Sequence, residues 1–122
     1  MLVDDDQFQR TYLSDVLQEM GFDKVHCCHS GKEALTVLLT QKPQPALLIC
    51  DLHMPGGKDG FQVMEELAEM QYGGAVVLVS GQQSHVLHAG TLMARFHQLN
   101  FLGQLEKPVV PARLAELLRA IP

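Results

Sequence analysis

Four stretches of this chain are apolar or nearly so, and each stops at a polar residue. They are Met1–Val3 before Asp4-Asp5-Asp6, Leu47–Cys50 before Asp51, Ala75–Val79 before Ser80-Gly81, and Phe101–Leu105 before Glu106-Lys107-Pro108. Short apolar runs bounded by turn signals read as strands buried on both faces of a parallel sheet. Lys24–Cys28 can form another strand. Between the strands the apolar positions switch to helical spacing. Phe8, Leu13, Val16, Leu17 and Met20 mark a first helix, with Asp6 as N-cap and Gly21 as stop. Ser30 opens a second helix, with Ala34, Leu35 and Leu38 on its apolar side. Phe61, Met64, Leu67 and Ala68 line a third. A long pattern from Ser84 to about Asn100 carries Val86, Ala89, Leu92, Met93 and Phe96. Pro111 at a first helical position opens the last helix, with Leu114, Leu117, Leu118 and Ile121.

Strand and helix thus alternate five times, which predicts an α/β domain: a parallel five-stranded sheet, doubly wound, with right-handed crossovers. The 122 residues form one domain, large enough to bury roughly two-thirds of the unfolded surface. A net charge of −5 argues against a nucleic-acid surface, which needs clustered Lys and Arg. No apolar run is long enough to span a bilayer, and no secretory pattern opens the chain. Three cysteines, two of them adjacent, make a poor disulfide framework, so a reduced, cytoplasmic setting is expected. The very short first strand and the end just after the last helix suggest residues 1–122 as a domain excised from a longer protein.

In a parallel sheet all strand carboxyl ends lie along one rim, where open α/β sheets bind ligands. The groups predicted there are Asp4, Asp5, Asp51, Ser80 and Lys107. Crowded carboxylates need a cation, and hard oxygen donors with positions left for water suit Mg²⁺. A bound cation lets Asp51 stay ionised and nucleophilic while a phosphoryl group approaches. Lys107 can hold a phosphoryl oxygen as a point charge, and the Ser80 hydroxyl and Gly81 amide can donate to others. Together they form a phosphoryl-transfer site with an aspartate as acceptor.

Over its whole length the chain resembles the receiver domain of two-component response regulators. The matching pieces are Leu2-Val3-Asp4-Asp5, Asp51-Leu52-His53-Met54-Pro55 with Asp59-Gly60, Val79-Ser80-Gly81 and Lys107-Pro108. The resemblance implies a flavodoxin-like (βα)5 fold of strand order 2-1-3-4-5. It implies that Asp51 takes phosphate from the phosphohistidine of a histidine kinase or phosphotransfer protein. It also implies Mg²⁺ held by Asp5, Asp51 and the His53 carbonyl, with Asp4 acting through water. Lys107 would pair with the phosphoryl group, and the bond to Pro108 would be cis. His53 and Gln82 occupy the positions that flank the phosphoryl group and tune its lifetime. The partners implied are the kinase or phosphotransfer protein and an attached output domain, and a homodimer is permitted; neither nucleic acid nor membrane is expected of this domain.

Within the family, Ser80-Gly81 through Leu99, Phe101-Leu102-Gly103, Leu105-Glu106-Lys107-Pro108 and Phe8-Gln9-Arg10 resemble receivers joined to Glu-Ala-Leu-type domains, which hydrolyse cyclic di-GMP. Three features depart from the family pattern. The Asp51–Gly60 loop is one residue longer, at Gly56-Gly57, and the Ser80–Lys107 interval is longer by a few residues. Gln104 replaces the aromatic that usually stands three residues before the lysine. A switch through an inward-swinging aromatic is therefore not expected, and the Ser84–Asn100 helix is the alternative moving element.

Two other readings use the same residues. Mg²⁺-dependent phosphatases with an aspartyl nucleophile generally carry a second Asp two residues on, where this chain has His53. Receiver-like interaction domains that work without phosphorylation typically lose the acceptor, an acidic residue or the lysine, and none is lost here. The run His26-Cys27-Cys28-His29 invites a zinc reading, but strand neighbours alternate faces, so the four cannot all converge on one ion. Strand core and surface are their expected roles. His85 and His88, one turn apart near a helix start, are expected in solvent, and Met54, Met64 and Met93 as packing groups.

Overall fold

The computed structural model describes residues 1–54, 60–81 and 90–121. The elements run β1 (Leu2–Val3), α1 (Gln7–Glu19), β2 (Cys27–Cys28), α2 (Gly31–Thr40), β3 (Leu47–Asp51), α3 (Gly60–Glu69) and β4 (Ala75–Ser80). Helical residues 90–95 (α4) follow, then β5 (Asn100–Glu106) and α5 (Pro111–Leu118). The strands form one sheet of order β2-β1-β3-β4-β5, and every pair is parallel. This is the predicted flavodoxin-like arrangement.

Alternation along the central strands divides the core in two. Leu48 and Cys50 of β3, with Val76 and Leu78 of β4, face a cluster containing Ala34, Leu35 and Leu38 of α2, Met64 and Leu67 of α3, and Leu92 of α4. Leu47, Ile49, Val77 and Val79 face the opposite cluster, with Leu13, Val16 and Leu17 of α1 and Leu114 and Leu118 of α5. Both strands are buried along their whole length, which is why their sequences read as continuous apolar runs. Phe61 at the start of α3 meets Phe96 edge-to-face at 5.4 Å, and the Arg95 guanidinium stands 5.2 Å above the Phe61 ring.

The predicted Asp6 cap forms, accepting a hydrogen bond from the Phe8 amide at 3.0 Å, and Pro111 is the first residue of α5 as expected. Ser30, at the predicted start of α2, caps it by accepting from the Glu33 amide at 3.1 Å. Gly21 has a positive φ of 102° just past the α1 C-cap, as a helix stop requires.

Four boundaries differ from the sequence expectation. Phe8 is 78% exposed, and Gln9 takes the buried position above Leu13. One helical turn is nearer four residues than five, so Gln9 and not Phe8 shares the Leu13 face. β2 is two residues long, rather than Lys24–Cys28, because its sole neighbour β1 offers only two partners, Leu2 for Cys27 and Val3 for Cys28. Helical structure at the predicted Ser84–Asn100 segment ends at residue 95, and Asn100 instead pairs with Ala75 as the first residue of β5. β5 also extends to Glu106, which pairs with Ser80.

A bulge lies between Val76 and Val77, whose partners are Phe101 and Gly103. Gly103 has φ 154°, and a Cβ there would lie 2.9 Å from Leu117 Cδ2. Glycine is thus the residue that lets β5 skip a register step beneath α5. The Gly56-Gly57 and Asp59 loop, Gln82, and the start of the Ser84 helix with His85, Val86, His88 and Ala89 lie outside the described residues. Among the described residues no helix is long and apolar enough to cross a membrane.

Candidate functional site

The register of the sheet builds the site. Val3 pairs with Cys50, so the next residues on the two strands, Asp4 and Asp51, stand side by side at the carboxyl rim. Asp51 pairs with Val79, so Ser80 follows on the next strand, and the Lys107 amide donates to the Ser80 carbonyl at 2.8 Å. Residues far apart in sequence thereby reach one edge. Asp4 and Asp51 are only 3% exposed and Ser80 1%, whereas Asp5 is exposed.

Lys107 is the hub. Its Nζ lies 3.0 Å from Asp51 Oδ2 and 3.0 Å from Asp4 Oδ2. The other oxygens are held by backbone amides. Asp51 Oδ1 accepts from the His53 amide at 3.1 Å, and Asp4 Oδ1 accepts from the Asp6 amide at 2.9 Å. A Cβ on Gly81 would come 3.9 Å from Lys107 Cδ, so the Gly81 backbone lies beside the lysine stem. Lys107-Pro108 is a cis peptide bond, as expected.

Burial pushes the Asp51 carboxyl above the usual range for an aspartate. The His53 amide and the Lys107 ammonium oppose that rise, while the neighbouring Asp4 adds to it. For Lys107, burial by itself favours loss of the proton, but its bonds to Asp51 and Asp4 outweigh this and hold it above its ordinary value. One ammonium thus serves two buried carboxylates and still leaves Asp51 under-compensated.

Asp4, Asp5 and Asp51 each bring an oxygen within 4.8 Å of the others. Three carboxylates against one lysine leave an excess of negative charge. Asp4 Oδ2 is buried, with the Lys107 ammonium 3.0 Å away as its ion-pair partner. An all-oxygen, under-neutralised cluster fits a small hard divalent cation such as Mg²⁺.

The structure therefore brings together Asp4, Asp5, Asp51, Ser80, Gly81 and Lys107. His53 contributes its amide to Asp51 and has an exposed side chain. Gln82 falls outside the described residues. The sequence reading missed Arg10, whose Nη1 donates to the Asp4 carbonyl at 2.6 Å and pins the acidic turn to α1. The signal available was an arginine one turn into the helix that follows the Asp4-Asp5-Asp6 run. Gln104 is half-buried, and its side-chain oxygen is buried with no hydrogen-bond partner. The Gln104 amide oxygen thus sits in a dry position.

A family model described as the response regulator receiver domain matches residues 1–119. The chain belongs to this receiver family. The chemotaxis protein CheY of Bacillus subtilis is 30% identical over 91 residues, covering 73% of each chain. A protein-glutamate methylesterase/protein-glutamine glutaminase of Halobacterium salinarum is 34% identical over 71 residues, covering 58% of this chain. The match spans 20% of that relative's length. Among solved structures, the receiver domain of NtrX from Brucella abortus superposes with a TM-score of 0.82 at 22% identity, covering 97% of this chain and 92% of that one. As a receiver domain, the chain is a phosphorelay signalling module.

Proposed function

We propose that Asp51 is the phosphoacceptor of this receiver, and that its phosphorylation controls an output domain in the same protein or a partner. The observation that carries this reading is Lys107 Nζ at 3.0 Å from both Asp51 and Asp4, at the rim where Ser80 and Gly81 also end. An Asp51 oxygen attacks the phosphorus of a phosphohistidine on a histidine kinase or phosphotransfer protein. The new O–P bond forms as the P–N bond breaks, and the imidazole nitrogen keeps the electron pair and takes a proton. Lys107 then holds a phosphoryl oxygen in place of the carboxylate it now pairs with, while the Ser80 hydroxyl and Gly81 amide donate to the others.

Asp5, Asp51 and the His53 carbonyl would hold Mg²⁺, with Asp4 acting through water. When bound, the ion supplies positive charge that offsets the crowded carboxylates and the incoming phosphoryl group. Asp51 is a stoichiometric acceptor in this reading and not an enzyme's nucleophile. The alternative phosphatase reading needs an acid two residues after Asp51, where the side chain is an exposed imidazole. The phosphorylation-independent reading does not account for a lysine drawn onto two buried carboxylates.

We further read the domain as a cytoplasmic module of a longer protein. The Ser80–Leu99 and Phe101–Pro108 segments favour an output domain of the Glu-Ala-Leu type, to which any phosphodiesterase activity would belong. Incubation with Mg²⁺ and acetyl phosphate should add one phosphoryl group, located on Asp51 by peptide mass after reductive trapping. No mass gain, or a gain on another carboxylate, overturns the assignment.

His53 is proposed to set the phosphate's lifetime, because an imidazole two residues after the acceptor can orient or deprotonate an attacking water. His53→Ala should slow loss of the phosphoryl group by about tenfold, at the low end of what one general base contributes. A decay rate unmoved by the substitution leaves the side chain without that role.

A further inference from the structure

Edge strand β2 and the first turn of α2 bring three metal-ligating side chains together away from the acidic rim. His26, Cys28 and Glu33 each offer a ligand atom within 4.8 Å of the other two. We propose that these residues form a second cation site, selective for a thiophilic divalent ion such as Zn²⁺.

Alternation builds the first half of the site. The Leu2 amide donates to the His26 carbonyl at 2.8 Å, so the ladder with β1 reaches back to His26. Side chains 26 and 28 then lie on one side of the strand and Cys27 on the other. Cys28 is buried and Cys27 exposed, which fits that division. This arrangement differs from the four-residue cluster that alternation excludes, because Glu33 supplies the third ligand from another element. Glu33 follows the Ser30 cap, and its neighbours Ala34 and Leu35 pack in the same core cluster as Cys28.

The carboxylate is also oriented. Glu33 Oε2 accepts from the His29 amide at 3.2 Å and lies against His29 Nδ1. That leaves Oε1 for an ion, with His29 acting as the supporting partner that metal-bound carboxylates commonly have.

The chemistry of the donors selects the ion. Sulfur, imidazole nitrogen and carboxylate oxygen suit Zn²⁺, whereas Mg²⁺ takes oxygen and water. Bonds of about 2.0–2.3 Å in a tetrahedral site place ligand atoms about 3.5 Å apart. Binding would draw the side chains of exposed His26 and half-buried Glu33 inward to that spacing. Cys28 gives up its thiol proton as the sulfur–metal bond forms. None of the three residues belongs to the Asp4, Asp5 and Asp51 set. The two sites nonetheless adjoin, since the Asp4 amide donates to the Cys28 carbonyl at 3.1 Å.

The test is titration of the 122-residue chain with Co²⁺, then displacement by Zn²⁺, under reducing conditions with Mg²⁺ in excess to occupy the acidic rim. One equivalent of Co²⁺ should bind with a sulfur-to-cobalt charge-transfer band in the near ultraviolet. Cys28→Ser should abolish the band, and His26→Ala or Glu33→Gln should weaken Zn²⁺ binding at least tenfold, while Cys27→Ser leaves it unchanged. His26 is exposed, so its variant reads out binding even if a change at buried Cys28 disturbs the fold. Absence of the band in the wild-type chain, undiminished affinity in His26→Ala, or loss of binding in Cys27→Ser overturns the proposal.

Discussion

Asp51→Asn should abolish phosphorylation by acetyl phosphate and at the same time make the protein more stable at neutral pH. The first effect follows from the proposed role, since an amide has no nucleophilic carboxylate oxygen. The second follows from the environment of Asp51. Burial raises its proton affinity in the folded chain, and Asp4 adds to the rise. A carboxyl whose folded-state pKa is raised contributes stability below the ordinary carboxylate range, and that contribution is lost as pH rises through the folded value. At neutral pH the Asp51 carboxyl is therefore a net cost.

Asparagine keeps an oxygen to accept the His53 amide and leaves Lys107 paired one-to-one with Asp4. The gain should appear as a higher melting temperature for the variant. Thermal melts without Mg²⁺ measure this directly. Mg²⁺ should raise the wild-type melting temperature and move the variant less, because a ligand of the ion is gone. A variant less stable than wild type would mean that the Lys107–Asp51 pair outweighs the repulsion it sits in.

Lys107→Ala acts in the opposite direction. It removes the ammonium from between two carboxylates that are each 3% exposed. Breaking a buried pair and leaving its partner charged costs about 3–5 kcal/mol. The lysine side chain is 23% exposed, so water and partial protonation of Asp51 relieve part of this. A loss of about 2–3 kcal/mol in the absence of Mg²⁺ is expected, visible as a lower urea midpoint with an unchanged slope.

The pH dependence is specific. Lys107 has a raised folded-state pKa, so its contribution is complete below about 10.5 and lost as pH rises through the folded value. On the acid side the difference between variant and wild type should shrink as Asp51 protonates, because the repulsion that the lysine offsets disappears. Phosphorylation should also slow by about a hundredfold, the scale expected for losing one preorganised contact to a transferring group. Equal urea midpoints for the two proteins would show that the carboxylates find compensation elsewhere.

The local patterns carried much of this molecule. Continuous apolar runs marked β3 and β4 because each strand is covered on both faces, and the run lengths placed Asp51 and Ser80 at strand ends. The helix starts at Asp6, Ser30 and Pro111 were legible for a similar reason, since each depends on a donor or a fixed φ within three residues of itself. Once the alternation implied a parallel sheet, the rim chemistry followed, because a parallel sheet gathers all its strand ends on one side.

Features that depend on which residues meet across the sheet were not legible. The length of β2 was decided by the two partners β1 has to give, and the start of β5 by the pairing of Asn100 with Ala75. The bulge at Gly103 is a compromise between β4 and α5 that no window of sequence contains. The equal reach of Lys107 to Asp4 and Asp51 joins positions 56 apart and more, and the raised proton affinity of Asp51 exists only once the fold buries it. His26, Cys28 and Glu33 likewise fall together only when the strand's alternation meets the first turn of α2. Periodicity and capping act over one turn or two strand positions, so sequence by itself determined the elements and the side of the sheet that would hold chemistry. Distance, burial and charge balance arise between distant segments, and those the tertiary structure alone decided.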